Sequence, residues 1–237
     1  MDRPSWLLDE PAETYEARRS RYLTSHALAD FKKCPLTFQR KRLGLIPDRD
    51  SNAYLVGRAL HTLVLEGRPA YEARYIAGGP INPRTGKPYG KTSQKFQEWA
   101  GAQDKEILTD SEAAAVEEMA DSVITHPQAR VLLENGIPEG VARGHYVTQA
   151  LRAPVQVPAQ IRIDWLATHD NQAALVDLKT TRKMDTFVGD SHTYGYVYQL
   201  AFYRSVLRTV TDRRHTFFIV AVEKEPPYRT GAWVVDD

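Results

Sequence analysis

The sequence predicts an α/β (α+β) fold in which helices flank a central mixed β-sheet, and three observations support it. Residues 1–135 are mostly helical in periodicity, and after Gly140 three successive segments alternate apolar and polar residues. A helical segment then precedes two further strand-like segments. Because no linker interrupts the 237 residues, we expect one domain, with a helical part over 1–135 and a sheet over 140–237.

The helical part contains several elements with recognisable ends. The strongest spans 52–67 and ends at Gly67, a good C-terminal stop. A helix capped by Ser25 is kinked or interrupted at Pro35. The other expected features are a Gly- and Pro-rich loop over 77–93, a helix that opens with the capping signature TDSE, and a short helix from Pro127.

The second half of the chain carries the predicted sheet. Its strands are expected over 141–149, 154–169, 173–181, 215–225 and 229–237, with a core helix over 192–209 between the third and the fourth. In the second strand, alternation places Ile161, Ile163 and Trp165 on one face. The same alternation places Arg162 and Asp164 on the other face.

Composition excludes several classes of function. The net charge of +1 offers no global attraction to nucleic acid, so a basic surface must be local. One cysteine, Cys34, cannot form an intramolecular disulfide or a site built on several thiolates, and it is consistent with a reducing compartment. No apolar run approaches the roughly 20 residues that a membrane span needs, and the N-terminus is unlike a secretory signal.

An acid and a base share one face of the strand over 173–181. Asp177 and Lys179 are separated by one residue, so their side chains point to the same face, while Val176 and Leu178 point to the other. Antiparallel pairing through the turn after residue 169 would bring Asp164 beside them. The three groups are therefore expected to meet at one place on the sheet.

This grouping is suited to phosphodiester hydrolysis. Two aspartates in a half-buried site repel each other. Lys179 could balance one of them, and a hard divalent cation such as Mg²⁺ or Mn²⁺ would balance both. With a metal present, Lys179 would be free to orient or deprotonate a water. The alternative is a structural ion pair of Asp177 with Lys179. A second D-x-K triplet, residues 30–32, lies on a predicted helix, where residues two apart do not share a face.

Two helices offer further candidates. Gln199 and Tyr203 are four residues apart and share a helix face, as do Gly57 and His61. Taken alone, His61 would more often be a satisfied core histidine, and the Gln–Tyr pair would be helix surface. Their place beside the expected site favours a functional role.

The chain resembles the PD-(D/E)xK nucleases and, among them, the RecE-type (exodeoxyribonuclease VIII-like) exonucleases of phages and prophages. Five segments carry the resemblance, in the family's order, over about residues 25–205: SHALADFKKCPLTF, VGRALHTLVLEG, RIDWL, VDLKTT and YQLAFY. The resemblance implies a restriction-endonuclease-like PD-(D/E)xK core. It also implies a further helix after the last strand, which this sequence does not contain.

The resemblance implies a role for each motif residue. Asp164, Asp177 and the backbone carbonyl of Leu178 would bind Mg²⁺, for which Mn²⁺ would substitute, and His61 would bind the metal or lie next to it. Lys179 would be the catalytic lysine. Gln199 and Tyr203 would brace the DNA strand or the site. With one cysteine, the iron–sulfur cluster of some relatives is not expected.

The implied activity is the digestion of double-stranded DNA from 5′ ends, which leaves 3′ strands for recombination with a single-strand annealing protein. The implied setting is the cytoplasm of a bacterial host, and the implied assembly is a ring-shaped trimer or tetramer. The alternatives are a single-strand or endonucleolytic repair nuclease and a DNA-binding module without catalysis. The residues expected near DNA phosphates are Arg162, Arg182, Lys183, Arg84, Lys87 and Arg42, although basic clusters are as often solvated surface.

Overall fold

The computed structural model describes residues 3–47, 52–150, 153–169 and 172–236. Its helices are α1 (Ala12–Ala17), α2 (Ser25–Lys33), α3 (Pro35–Arg42), α4 (Asn52–His61), α5 (Arg68–Arg74), α6 (Gln94–Ala100), α7 (Asp110–Thr125), α8 (Pro127–Leu133), α9 (Phe187–Thr193) and α10 (Tyr196–Leu207). A π-helical turn (Thr62–Glu66) continues α4, and a 3₁₀ turn (Met184–Thr186) precedes α9.

The strands form two sheets. The small one pairs β1 (Tyr75–Ala77) in parallel with β2 (Glu106–Leu108). The large one contains β3 (Gly136–Ala150), β4 (Ala153–His169), β5 (Gln172–Thr181), β6 (His215–Glu223) and β7 (Thr230–Val235), in that spatial order. Only β5 and β6 pair in parallel, and the connection between them contains α9 and α10. The predicted mixed sheet flanked by helices is confirmed.

Two apolar cores cover the two faces of the large sheet. One core packs α4, the π-helical turn, α7 and α8 against residues such as Trp165, Val176 and Leu178. The other packs α10 against residues such as Ile161 and Ile163. Because both faces are covered, β5 and β6 consist mainly of buried apolar residues, and the charged pair within β5 is conspicuous.

Most helix ends follow the predicted signals. Pro35 separates α2 from α3, Thr109 and Glu112 form the capping box of α7, and Gly67 ends the π-helical turn with φ at +89°. The cap of α2 is Thr24 rather than Ser25, since the Thr24 hydroxyl accepts a hydrogen bond from the Ala27 N–H. That prediction was wrong by one residue.

The core helix expected over 192–209 is two helices. Gly195 adopts φ +80°, a left-handed conformation that ends α9 and redirects the chain into α10. The prediction was wrong because the apolar periodicity of residues 196–207 continues into the preceding turn, which hides the break. The sheet likewise begins at Gly136, several residues before the position expected.

The alternation of β4 is broken near Asp164. Ile161 and Ile163 pack into the core that contains α10, whereas Trp165 packs into the core on the opposite face. The prediction that Trp165 shares a face with the two isoleucines is therefore wrong. The irregularity lies opposite Glu139 of β3, a residue with φ +53° between the Pro138–Trp165 and Gly140–Ile163 pairs.

The hairpin of β3 and β4 is much longer than the strand β5 beside it. β4 pairs with β3 along almost its whole length but with β5 only from Trp165 to His169. The rest of this hairpin packs against α10, and Gly144 of β3 allows the close approach. Within the described part of the chain, no helix has the length and apolarity needed to cross a lipid bilayer.

We predict that Gly144→Ala destabilises the protein by about 1–3 kcal/mol, the usual cost of overpacking. A methyl group at this position would lie 2.4 Å from Thr209 Oγ1 and 2.7 Å from Val210 Cγ1. Urea unfolding followed by circular dichroism measures the change.

The matched control is Gly57→Ala on α4, where the added methyl meets no atom within 4 Å. This substitution is expected to leave stability unchanged or to raise it by up to about 1 kcal/mol through helix propensity. Equal stability of Gly144→Ala and the wild-type protein would contradict the close packing of β3 on α10.

Candidate active site

The site lies where β4 and β5 separate. Their backbone pairing ends at Trp165 with Val176, one residue before Asp164 and Asp177. Beyond this point β5 continues to pair with β6 on its other side, while β4 follows β3. The two aspartates therefore stand on opposite sides of a fork in the sheet.

The Asp164 side chain forms a hydrogen bond across the gap between β4 and β5. Its Oδ2 atom accepts a hydrogen bond of 2.9 Å from the backbone N–H of Leu178. This N–H lies at the position where β5 loses its pairing with β4, so the carboxylate supplies the acceptor that it needs. The contact fixes Asp164 beside the D-x-K segment of β5.

Asp177 and Lys179 form a buried ion pair on the same face of β5. Lys179 Nζ lies 2.6 Å from Asp177 Oδ2, and only 3% of Asp177 is exposed. Within the described residues, the Lys179 ammonium is the group that contacts this oxygen. The Lys179 ammonium also lies 5.1 Å from the centre of the Tyr196 ring.

Gln199 and Tyr203 connect α10 to both strands. The Gln199 side-chain amide donates to Asp177 Oδ1 at 3.4 Å and to the Tyr203 hydroxyl at 3.2 Å. The Tyr203 hydroxyl donates to the backbone carbonyl of Arg162 at 2.8 Å. Burial raises the pKa of Tyr203 well above its usual value, so the phenol stays neutral. Both residues position the site rather than reach into it.

His61, Glu139 and Asp164 come together on the other side of the fork. One ligand atom from each lies within 4.8 Å of the other two, and His61 Nδ1 is 3.6 Å from Asp164 Oδ2. His61 is the last residue of α4, so that helix ends at the site. Imidazole and carboxylate donors at this spacing suit a divalent cation.

Two carboxyl groups of the site, those of Asp177 and Glu139, have raised pKa values. Burial raises the pKa of Asp177 to about 6; repulsion from Asp164 adds to the shift, and Lys179 opposes it. Burial and then Asp164 also raise the pKa of Glu139, against the attraction of Arg162 and His61. A divalent cation would relieve both shifts. The His61, Glu139 and Asp164 ligand atoms gathered here are of the kind that such a cation binds, so the residues present fit a metal.

A family model described as a PDDEXK-like domain of unknown function, DUF3799, matches residues 25–237. The chain belongs to this family. The membership confirms the PD-(D/E)xK resemblance and supports a nuclease. The RecE-type subgroup remains an expectation.

Solved structures agree with the PDDEXK-like fold. A crystal structure from Eubacterium rectale, of a protein named as a presumed exonuclease, has a TM-score of 0.62 at 16% identity and covers 97% of this chain and 79% of that chain. A protein named SSO0001 has a TM-score of 0.30 at 16% identity, covering 54% of this chain and 60% of that one, which carries no argument. The first likeness supports the fold alone. The comparison with curated proteins gives no match.

Glu139 is the residue of this PDDEXK-like site that sequence reasoning missed. The predicted strand began after Gly140, which left Glu139 in a turn. Its position opposite Asp164 depends on the register of a hairpin whose strands are 15 and 17 residues long. A signal was present in the isolated acid between Pro138 and Gly140, but its partner could not be assigned from the sequence.

Arg162 is paired with this missed carboxylate. Its Nε donates to Glu139, and the two side chains are mostly buried, with 19% and 20% exposed. Of the two roles considered for Arg162, a phosphate contact or an ion pair with an acid, the structure contains the ion pair. For a phosphate contact, the Arg162 guanidinium would have to bind the phosphate together with Glu139 or to break its ion pair with Glu139.

The other predicted DNA contacts are spread over the surface. Arg42 donates to the Ser20 carbonyl, and Arg84 and Lys87 lie in the exposed 77–93 loop. Arg182 and Lys183 follow directly after β5, three and four residues after Lys179, and line a cavity together with Glu223 and Arg229. Their contact with DNA stays a prediction.

Glu223 and Arg229 stabilise the end of the sheet next to that cavity. Glu223, 5% exposed, accepts hydrogen bonds from the Arg229 guanidinium at 2.7 and 3.0 Å and from the Met184 N–H at 2.7 Å. Arg229 also bonds to both carboxylate oxygens of Asp185. These bonds, the Arg229 bond first, lower the pKa of Glu223 to about 2 despite its burial.

We predict that Glu223→Gln makes the free energy of unfolding depend less on pH in the acid range. A carboxyl with a lowered folded-state pKa stabilises the protein above its unfolded value of 4.5, and this stabilisation is lost as the pH falls toward 2. The difference in urea midpoint between wild type and variant should be largest at neutral pH and should shrink below pH 4.5. A difference independent of pH would contradict the ion pair.

Proposed function

We propose that the protein is a metal-dependent nuclease that hydrolyses DNA from duplex ends. The observation that carries the proposal is the convergence of Asp164, Asp177 and Lys179 at the fork between β4 and β5. An acid pair and a lysine at this spacing fit phosphodiester hydrolysis, and family membership supports the same chemistry.

Each side chain has a distinct task in this proposal. Asp164, Asp177 and the Leu178 carbonyl would hold the cation, and His61 and Glu139 are the further residues that could bind it. A bound divalent metal would supply Lewis-acid stabilisation of the charge that develops on the phosphate.

Lys179 acts as a cation at the same place. Burial lowers its pKa, but the attraction of Asp177 and then of Asp164 outweighs burial, and the net pKa is raised. The ammonium is therefore charged, and it is suited to orient the attacking water and to stabilise the phosphate. Gln199 holds Asp177 in place through its amide.

Exonuclease action on duplex DNA is the preferred form of this activity. The similar structure from Eubacterium rectale is named as a presumed exonuclease, and the sequence motifs resemble those of enzymes that digest from 5′ ends. In this form the products are 3′ single strands, which would be passed to an annealing protein in recombination. A ring-shaped homo-oligomer and a cytoplasmic phage or prophage setting belong to the same proposal.

We predict that the purified protein digests linear duplex DNA with Mg²⁺ or Mn²⁺ and leaves closed circles intact. Duplexes labelled at the 5′ or the 3′ end and separated on denaturing gels give the polarity, and EDTA should stop the reaction because the acids then lack their cation. Cleavage of closed circles would show an endonuclease, and preference for single strands would favour the repair-nuclease alternative.

We predict that Lys179→Ala lowers the cleavage rate by at least about 100-fold, since the charge that faces the phosphate is lost. DNA binding should be largely retained.

Asp177→Ala should remove both cleavage and metal binding, measured by calorimetry with Mn²⁺, and Glu139→Gln should weaken Mn²⁺ binding with a smaller loss of rate.

The matched control is Lys95→Ala, an exposed lysine on α6 outside the predicted DNA contacts, which should retain the wild-type cleavage rate. Full activity of Lys179→Ala or Asp177→Ala would contradict the assignment of the site. A wild-type protein that binds DNA in a salt-sensitive manner, without digestion under any metal, would establish the binding-module alternative.

A further inference from the structure

Two exposed tyrosines lie next to the candidate active site. Tyr194 is 68% exposed and Tyr198 is 58% exposed, although both belong to the segment that enters α10. A singly exposed aromatic side chain is common, whereas aromatic rings grouped beside a charged site mark a candidate contact surface.

Tyr194 is connected to the catalytic lysine through Tyr196. The Tyr194 and Tyr196 ring centres are 6.0 Å apart, and the Tyr196 ring lies 5.1 Å from Lys179 Nζ. Tyr196 itself is half-buried and packs on Phe187. The exposed ring of Tyr194 is thus two contacts away from the amine that faces the scissile phosphate.

Tyr198 lies beside the same turn and carries a cation on its ring. Gly195 brings the chain so close that a Cβ there would lie 3.9 Å from Tyr198 Cδ2. Lys32 of α2 places its ammonium 4.0 Å from the ring centre of Tyr198, and Lys32 makes no ion pair with a carboxylate among the described residues. The surface therefore combines two exposed aromatic rings with a positive charge that lies over one face of the Tyr198 ring.

Tyr198 is next to Gln199, the residue that holds Asp177. Neighbours in a helix point about 100° apart, so Gln199 faces the site while Tyr198 faces outward along its rim. A nucleic acid strand with its phosphate at Lys179 would run over this rim. Its neighbouring bases would then meet Tyr194 or Tyr198.

We propose that Tyr194 and Tyr198, with Lys32, form a stacking surface for unpaired bases of the strand in the active site. Stacking requires base faces that are free, and paired bases inside a duplex have none. The strand that reaches Lys179 is therefore single-stranded next to the cleavage point, either as an overhang or as a frayed duplex end. This inference rests on the proposed function and specifies the form of its substrate.

The test measures binding without cleavage. A fluorescently labelled short oligothymidylate is titrated in EDTA, and an abasic oligonucleotide of equal length serves as the ligand that has the same charge but no bases. The wild-type protein should prefer the oligothymidylate. Tyr194→Leu and Tyr198→Leu should each weaken its binding by about tenfold, the scale of one lost base–aromatic contact, and leave the abasic ligand unaffected.

The matched controls are Tyr194→Phe and Tyr198→Phe, which keep the ring and should bind as the wild type does. All four variants should unfold at the wild-type temperature because both side chains are exposed. Equal binding of the two ligands by the wild type, unchanged affinity in the leucine variants, or equal losses in the phenylalanine variants would each overturn the stacking surface.

The stacking surface and the nuclease activity can fail separately. Ring-dependent binding together with no digestion of any DNA would retain the stacking surface and remove the proposed function. Digestion of duplex ends together with ring-independent binding would retain the nuclease and remove the stacking surface. The two assays share no metal and no catalytic readout.

Discussion

The hydrogen bond from the Leu178 N–H to Asp164 is the contact on which the site depends. Where two antiparallel strands separate, each loses backbone partners, and an unpaired buried N–H is costly. In this protein a carboxylate replaces the missing carbonyl. The same contact ends the pairing of β4 with β5 and holds the first acid beside the second acid and the lysine. Asp164 is therefore needed both as the hydrogen-bond acceptor for the β5 backbone and as a carboxylate of the candidate site.

The separation of the strands also determines how charge is balanced. Burial raises the pKa values of Asp177 and Glu139, and repulsion from Asp164 raises both further. Arg162, Lys179 and His61 oppose this repulsion. Such an arrangement would add little to the free energy of unfolding, because the attraction within buried ion pairs seldom exceeds the cost of their desolvation. In the proposed function, a cation that the acids share would offset this cost.

Around this centre, α10 holds the strands that carry the acids. Gln199 and Tyr203 tie α10 to Asp177 and to the backbone of β4 with hydrogen bonds. The rings of Tyr194 and Tyr198, on either side of the turn at Gly195, are exposed. One short segment therefore carries both the contacts to the acids and the exposed rings, since residues one apart on a helix point in different directions.

The sequence by itself determined the five strands of the large sheet along the chain, the shared face of Asp177 and Lys179, and several helix ends, because these depend on local periodicity and capping. The short strands β1 and β2 were not predicted. It also carried enough motif information to indicate the PD-(D/E)xK class. Only the tertiary structure decided the place where β4 leaves β5, the reversal of alternation at Asp164 and the pairing of Glu139 opposite it. These features depend on the register of a long hairpin and on its packing against α10, which join residues far apart in the chain and leave no local signal.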